Sequence, residues 1–184
     1  KYGFGRNENG LLAPLSESGL ELFKLGLDDY FKFEENQKTY PHLIASACEL
    51  EWGPNPYLLN LTPTEIDWAK ETVAQWGDGP KVGLNPGSGE AFAGKKWPVE
   101  SYIALAQEIR DQGAIPVFLG GADEKPLYKE LKDRAWEYGI FPGCEFSLRQ
   151  FMALISRLQV LVSGDTLAMH FAIAFKVYSV ALFG

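Results

Sequence analysis

The residues most suited to ligand chemistry are in residues 164–170, which follow the apolar run of residues 160–162. Asp165 or Thr166 can cap a helix that begins here, and the first-turn amides would then face a ligand. Thr166 and His170 are four residues apart, so they share one helical face. His170 could donate to a phosphate or orient an acidic partner. A packed core histidine beneath a capping aspartate is the alternative.

A second candidate is the glycine- and serine-rich loop of residues 85–98, which ends in two lysines. Gly94 and Lys95 belong to a near match of the Walker A motif, but Lys96 stands where Ser or Thr would hold magnesium. Pro98 also disfavours a helix that begins at Gly94. Lysines before a helix oppose its dipole, at a cost of about 0.3–1 kcal/mol each, which a bound phosphate would offset. A solvated surface loop is the alternative.

The third candidate is the turn Gly-Gly-Ala-Asp-Glu at residues 120–124, which follows another apolar strand pattern. Its glycines permit close approach of a ligand. A carboxylate of Asp123 or Glu124 could accept hydrogen bonds from ribose hydroxyls. An ordinary turn in which Asp123 caps a helix is the alternative.

Alternating strands and helices must position these loops. From residue 62 the apolar periodicity predicts the order β-α-β-α-(short β)-α-β-α-β, which indicates an α/β fold with a Rossmann-like parallel sheet flanked by helices. Capping boxes at residues 62–65 and 147–150 predict two helix starts. Ligands bind beyond the carboxyl ends of such strands, so we expect the three loops to face one cleft.

Residues 1–61 are less periodic and contain several turn residues. A helix is predicted around residues 20–27, an edge strand at 31–34 and a helix from Pro41. We interpret residues 1–61 as a connector from a missing domain and 62–184 as the Rossmann-like domain. A small cap on the main domain is the alternative for the first region. The last residues indicate a strand that leaves the core, so we expect a fragment truncated at both ends.

Composition limits the classes of function. Hydrophobic residues make up 46% of the 184 residues and charged residues 22%, which is typical of a folded globular protein. The net charge of -7 argues against non-specific nucleic-acid binding and against a polybasic membrane tether. Cys48 and Cys144 are far apart without a C-x-x-C pattern, and we expect reduced thiols in a cytoplasmic protein. No carboxylate cluster indicates a metal site.

Together the three loops resemble glycosyltransferase family 9, the heptosyltransferases, which are inverting enzymes of the two-domain GT-B type. The resemblance is strongest over residues 80–184. The order and spacing of the motifs there are similar to those of the family's C-terminal, donor-binding domain. Its motifs are NPGSG at 85–89 with KKWP at 95–98, GGADE at 120–124, and GDTLAMH at 164–170 with VALFG at 180–184.

The resemblance implies a nucleotide-diphosphate sugar as donor, typically ADP-heptose, and a lipopolysaccharide core or similar glycan or glycolipid as acceptor. It implies no metal cofactor. Lys95 would meet the donor phosphates, Glu124 or Asp123 the ribose, and Asp165, Thr166 and His170 the sugar and diphosphate. The expected donor-binding residues are Asn85, Gly87, Ser88, Lys95, Lys96, Gly121, Glu124, Gly164, Asp165, Thr166, Leu167 and His170.

One residue departs from the family's pattern, because many members have glycine where Leu167 stands. A leucine side chain narrows the approach of the diphosphate to the backbone, so a donor other than ADP-heptose stays open.

The implied reaction is direct displacement at the anomeric carbon, with a carboxylate base that deprotonates the acceptor hydroxyl. In this family the base lies near the start of the N-terminal acceptor domain, and nothing in this chain matches it. We therefore expect no catalytic residue here, and nucleotide binding without sugar transfer. Peripheral contact with the inner membrane is expected from the lipid-linked acceptors. The alternatives are a GT-B-type nucleotide-sugar epimerase and a non-catalytic nucleotide-binding module.

Overall fold

A computed structural model describes residues 2–53, 55–87 and 97–183 of the chain. The predicted site residues Ser88, Lys95 and Lys96 lie outside the described residues. The chain divides into two compact units, residues 1–55 and 56–184. The roles predicted for residues 1–61 and 62–184 stay predictions.

The first unit holds a small hairpin and short helices. Strands β1 (Phe4–Arg6) and β2 (Leu12–Pro14) pair antiparallel. Helix α1 (Glu17–Lys24) begins after Ser16, whose hydroxyl accepts a hydrogen bond from the Gly19 amide at 3.0 Å. The hairpin was not predicted, because its three-residue strands are too short to show an alternating pattern.

The edge strand predicted at residues 31–34 is wrong, because Phe31–Glu35 forms a short π-helix. Asp28 accepts a hydrogen bond from the Phe31 amide at 3.0 Å through Oδ1 and so supports a helical turn. Helix α2 (Tyr40–Ala47) follows, with Pro41 in its first turn as predicted.

The second unit confirms the predicted order of strands and helices. The predicted short strand before α6 is reduced to one parallel bridge between Val117 and Ile140. The elements are α3 (Pro63–Ala74), β3 (Lys81–Asn85), α4 (Val99–Asp111), β4 (Ile115–Phe118), a 3₁₀ turn (Ala122–Glu124), α5 (Lys125–Ala135), α6 (Leu148–Ile155), β5 (Val160–Gly164), α7 (Leu167–Ala174) and β6 (Tyr178–Leu182).

The four strands form one parallel sheet in the order β4-β3-β5-β6. The chain leaves β3 for β4 on one side and returns to β5 on the other. The switch point therefore lies between the carboxyl ends of β3 and β5, where open α/β sheets bind ligands. Asn85 pairs with Ser163 in the sheet register at this point.

Apolar side chains cover both faces of the sheet. Leu161 belongs to a buried cluster that includes Ile155 and Phe171 from α6 and α7. Its neighbour Val162 belongs to a second cluster, with Tyr102 from α4. Successive residues of a strand point to opposite faces, so β5 is packed on both sides, as the predicted Rossmann-like sheet requires.

Both predicted capping boxes are present. The Thr62 hydroxyl accepts from the Glu65 amide at 3.3 Å, and Glu65 Oε2 accepts from the Thr62 amide at 2.7 Å. Arg149 in α6 donates from Nε to Glu65 Oε1 at 2.6 Å. This contact ties the start of α3 to the start of α6, and the hydrogen bond from Arg149 lowers the pKa of Glu65 to about 2.

Candidate functional site

A cleft of about 520 Å³ opens at the carboxyl ends of the strands, at the switch point. The loops after β3, β4 and β5 all contribute to it, as predicted. The predicted site residues that line it are Asn85, Gly87, Gly121, Glu124, Asp165, Thr166 and Leu167; Gly120, Asp123, Phe146, Leu148, Phe151 and Ala168 complete the lining.

A polar network joins the ends of β3 and β5 at the floor of the cleft. Asn85 donates from Nδ2 to the Ser163 hydroxyl at 3.1 Å and to the Thr166 hydroxyl at 3.3 Å. The two hydroxyls lie 2.9 Å apart. Asn85 and Ser163 are almost fully buried. Because unpaired polar groups are costly to bury, this network fixes the loop that precedes α7.

The same network decides how α7 begins. Thr166, not Asp165, occupies the N-cap position, with an extended backbone, and its side chain makes no capping hydrogen bond. The Thr166 hydroxyl is turned to Asn85 instead. The first amides of α7 are thus not capped by this hydroxyl, which leaves a helix N-terminus of the kind that binds anions beside the cleft.

Glu124 lies against the loop after β3. Its Oε2 accepts a hydrogen bond from the Gly121 amide at 2.8 Å. A Cβ atom on Gly87 would lie 2.6 Å from Glu124 Oε1, so the absence of a side chain at Gly87 is what admits the carboxylate. The two predicted loops are therefore in contact, and the carboxylate lines the cleft.

An apolar wall faces this polar floor, and sequence reasoning missed it. Phe146 precedes α6, while Leu148 and Phe151 lie in its first turns. Leu148 is 60% exposed, a large fraction for a leucine. The signal in the sequence was a leucine directly after the Ser147 cap and off the buried stripe of α6. Apolar side chains with a few convergent polar groups are typical of small-molecule sites.

Leu167 and His170 lie on the first two turns of α7. Leu167 is 51% exposed and lines the cleft, at the position where the resemblance predicts a steric restriction. His170 is half-buried, so it is not the packed core histidine of the alternative interpretation. Its Nδ1 lies 3.0 Å from the hydroxyl of Tyr57. Neither His170 nor Gly164 contributes to the lining, and their predicted roles stay predictions.

Burial raises the pKa of two side chains, Tyr102 and Cys144. The Tyr102 hydroxyl donates to the Asn85 carbonyl at 3.4 Å, and burial raises the pKa of Tyr102 to about 12. Burial likewise raises the pKa of Cys144 to about 11, so this thiol stays protonated at neutral pH. Both cysteines are free thiols.

Residues 2–53, 55–87 and 97–183, which the structure describes, contain no group of three or more His, Cys, Asp or Glu side chains able to hold a metal ion. Metal independence itself stays a prediction. None of the helices in the described part of the chain is long and apolar enough to cross a membrane.

The sheet and its cleft define an α/β protein with a candidate ligand cleft at a topological switch point. The sequence profile of glycosyltransferase family 9 (heptosyltransferase) matches residues 37–184. The chain therefore belongs to glycosyltransferase family 9, and the predicted family membership is confirmed.

Individual relatives agree with this assignment. Lipopolysaccharide heptosyltransferase 2 of Escherichia coli is 28% identical over 98% of this chain and 51% of its own length. A family 9 glycosyltransferase structure from Veillonella parvula matches with a TM-score of 0.69 at 22% identity, over 79% of this chain and 44% of that one. The structure of E. coli ADP-heptose lipopolysaccharide heptosyltransferase II matches with a TM-score of 0.64 at 25% identity, over 79% and 48%.

These likenesses confirm the predicted GT-B type of fold. The chain spans about half the length of the relatives that it matches.

Proposed function

We propose that this chain forms the donor-binding part of an inverting glycosyltransferase. The enzyme would move a heptose-like sugar from a nucleotide-diphosphate donor, ADP-heptose in the first instance, to a lipopolysaccharide core or similar glycan. One observation carries the proposal: the cleft at the switch point combines the Glu124 carboxylate, the start of α7 and an apolar wall. The E. coli relative, named for ADP-heptose and lipopolysaccharide, supports the choice of donor and acceptor.

The parts of a nucleotide diphosphate match the parts of the cleft. A planar base suits the apolar wall of Phe146 and Leu148, which would cover one face of the ring. Ribose hydroxyls would donate to Glu124, whose second oxygen is held by the Gly121 amide. The diphosphate would lie at the first turn of α7, where backbone amides and the helix dipole favour negative charge.

The leaving diphosphate is the group that this site would stabilise during transfer. Charge develops on its oxygens as the bond to the anomeric carbon breaks, and preorganised donors lower the barrier to that step. We infer that Lys95 adds positive charge there, as the family resemblance implies, together with the adjacent Lys96. The base that deprotonates the acceptor is expected from the acceptor domain, so residues 1–184 should bind nucleotide without transferring sugar. We also propose that the whole enzyme contacts the inner membrane peripherally.

Isothermal titration calorimetry with ADP, UDP, GDP and NAD tests the proposal. We expect ADP to bind with the highest affinity, and Glu124→Gln to weaken it because ribose hydroxyls lose a charged acceptor. Glu71→Gln, on α3 and outside the cleft lining, is the matched control. Binding of NAD without binding of any nucleoside diphosphate would contradict the proposed function.

A further inference from the structure

Tyr57 and His170 are in direct contact although 113 residues separate them. The Tyr57 hydroxyl lies 3.0 Å from His170 Nδ1, and the ring centroids are 5.8 Å apart at an interplanar angle of 57°. Both residues belong to the second unit. We propose that Tyr57 is a positioning residue for the donor site. Its hydroxyl donates to Nδ1 and fixes His170 as the Nε2–H tautomer, and the Nε2–H donates to a phosphate oxygen of the bound nucleotide.

The inference rests on the proposed function, since it requires a nucleoside diphosphate in the cleft. His170 lies one helical turn after Thr166, on the same face of α7, and Thr166 lines the cleft. Over the part of the chain that the structure describes, the Tyr57 hydroxyl is the only hydrogen-bond partner of the His170 ring. His170 itself does not line the cleft, so the proposal requires the bound diphosphate to extend along α7 from Thr166 to the second ring nitrogen, which has no partner in that described part of the chain.

Tyr57 is held in place by the segment that carries it. Residues 55–61 form no helix or strand, but the exposure of the leucines alternates: Leu58 is 87% exposed, while Leu59 and Leu61 are partly buried against the core. Tyr57 itself is 48% exposed, and the two packed leucines anchor the chain directly after it. The carbonyl of Asn60 also accepts a hydrogen bond from Arg149 Nη2 at 2.8 Å.

The chemistry of the two rings gives the direction of the hydrogen bond. A neutral imidazole has one N–H donor and one bare nitrogen, and the hydrogen bond at one nitrogen selects the proton position at the other. A phenol that donates to Nδ1 leaves the proton on Nε2, where it can be donated to a phosphate oxygen. The opposite arrangement would present a bare Nε2, which repels an anion.

The first test reads the tautomer directly. Nitrogen chemical shifts of His170, measured by NMR on the full chain in mildly alkaline buffer, should show a protonated Nε2 and a hydrogen-bonded acceptor Nδ1. Tyr57→Phe should convert this signal into a mixture of tautomers. A protonated Nδ1 in the unsubstituted chain would overturn the proposal, because Tyr57 would then be the acceptor.

The second test couples the two residues through binding of ADP. Tyr57→Phe should weaken ADP binding about three- to tenfold, the effect of one hydrogen bond. In a His170→Ala background the same change should have no effect, because Tyr57 acts through the imidazole. Tyr178→Phe, which removes a hydroxyl from an 80% exposed tyrosine on β6, is the matched control and should bind ADP normally.

The outcomes separate this inference from the proposed function. Tyr57→Phe could reduce ADP affinity equally in the unsubstituted chain and in the His170→Ala chain. That result would overturn the positioning role, because Tyr57 would then act independently of His170. An unsubstituted chain that binds no nucleoside diphosphate would overturn the proposed function, and the phosphate contact with it. That result appears in the first titration, before any variant is compared.

Discussion

Asn85 and Thr166 are joined by a hydrogen bond of 3.3 Å from the side-chain amide to the hydroxyl, across 81 residues of sequence. Asn85 ends β3, and Thr166 occupies the N-cap position of α7. The bond turns the threonine hydroxyl away from its own helix and toward the sheet. The geometry of the candidate diphosphate site is therefore set by the neighbouring strand rather than by α7 alone.

Replacement of Asn85 tests this relationship. Asn85→Ala would leave the buried Ser163 hydroxyl without its amide donor and open a small cavity, so we expect the free energy of unfolding to fall by about 1–3 kcal/mol. Urea denaturation followed by circular dichroism measures the change. Asn60→Ala is the control, because this exposed residue makes its described contact through its backbone carbonyl. Its free energy of unfolding should lie within about 0.5 kcal/mol of that of the unsubstituted chain. Equal stability of both variants would contradict a structural role for the network.

The contact between Gly87 and Glu124 gives a prediction about specificity. Gly87→Ala places a Cβ atom where the Glu124 side chain lies, and the flexible carboxylate must move. We expect ADP affinity to fall about tenfold, because Glu124 no longer meets the ribose, whereas binding of inorganic pyrophosphate stays unchanged. Gly26→Ala, where the nearest atom is a backbone oxygen at 3.8 Å, is the control for a glycine substitution. An equal fall in the affinities for ADP and for pyrophosphate would show that the loop, not the carboxylate, had been disturbed.

Leu167 should control which donor fits. Its side chain is exposed in the cleft at the first residue of α7, so Leu167→Gly opens space beside the first amides. We expect the affinity for ADP-heptose relative to ADP to rise, measured by competitive calorimetry. Glycine also costs up to about 1 kcal/mol in a helix, so Ile173→Gly in the same helix controls for lost stability. An unchanged ratio would mean that Leu167 does not limit the donor.

Acid should weaken the junction between α3 and α6. Arg149 holds the pKa of Glu65 at about 2, below the ordinary carboxyl value of 4.5. The folded-state pKa is depressed, so the contribution to stability is fully present above about pH 4.5 and is lost as the pH falls toward 2. Glu65→Gln should flatten this part of the pH dependence of the unfolding free energy. An unchanged slope in the variant would assign the acid sensitivity to other carboxylates.

Local patterns predicted most of the second unit correctly, because its elements carry local signals. The capping boxes at Thr62 and Ser147 satisfy backbone amides within four residues, so they fix a helix start whatever surrounds them. The same reasoning failed at Phe31–Glu35, where alternation predicted a strand. A four-residue pattern is too short to distinguish a strand from a helical turn supported by Asp28.

The sequence by itself determined the alternation of strands and helices, the loops that end the strands and the family to which their motifs belong. These features depend on neighbours in the chain. Only the tertiary structure decided that Gly87 contacts Glu124, that Phe146 and Leu148 form an apolar wall, and that Tyr57 meets His170. Those pairings depend on how distant segments pack, and no local periodicity encodes them.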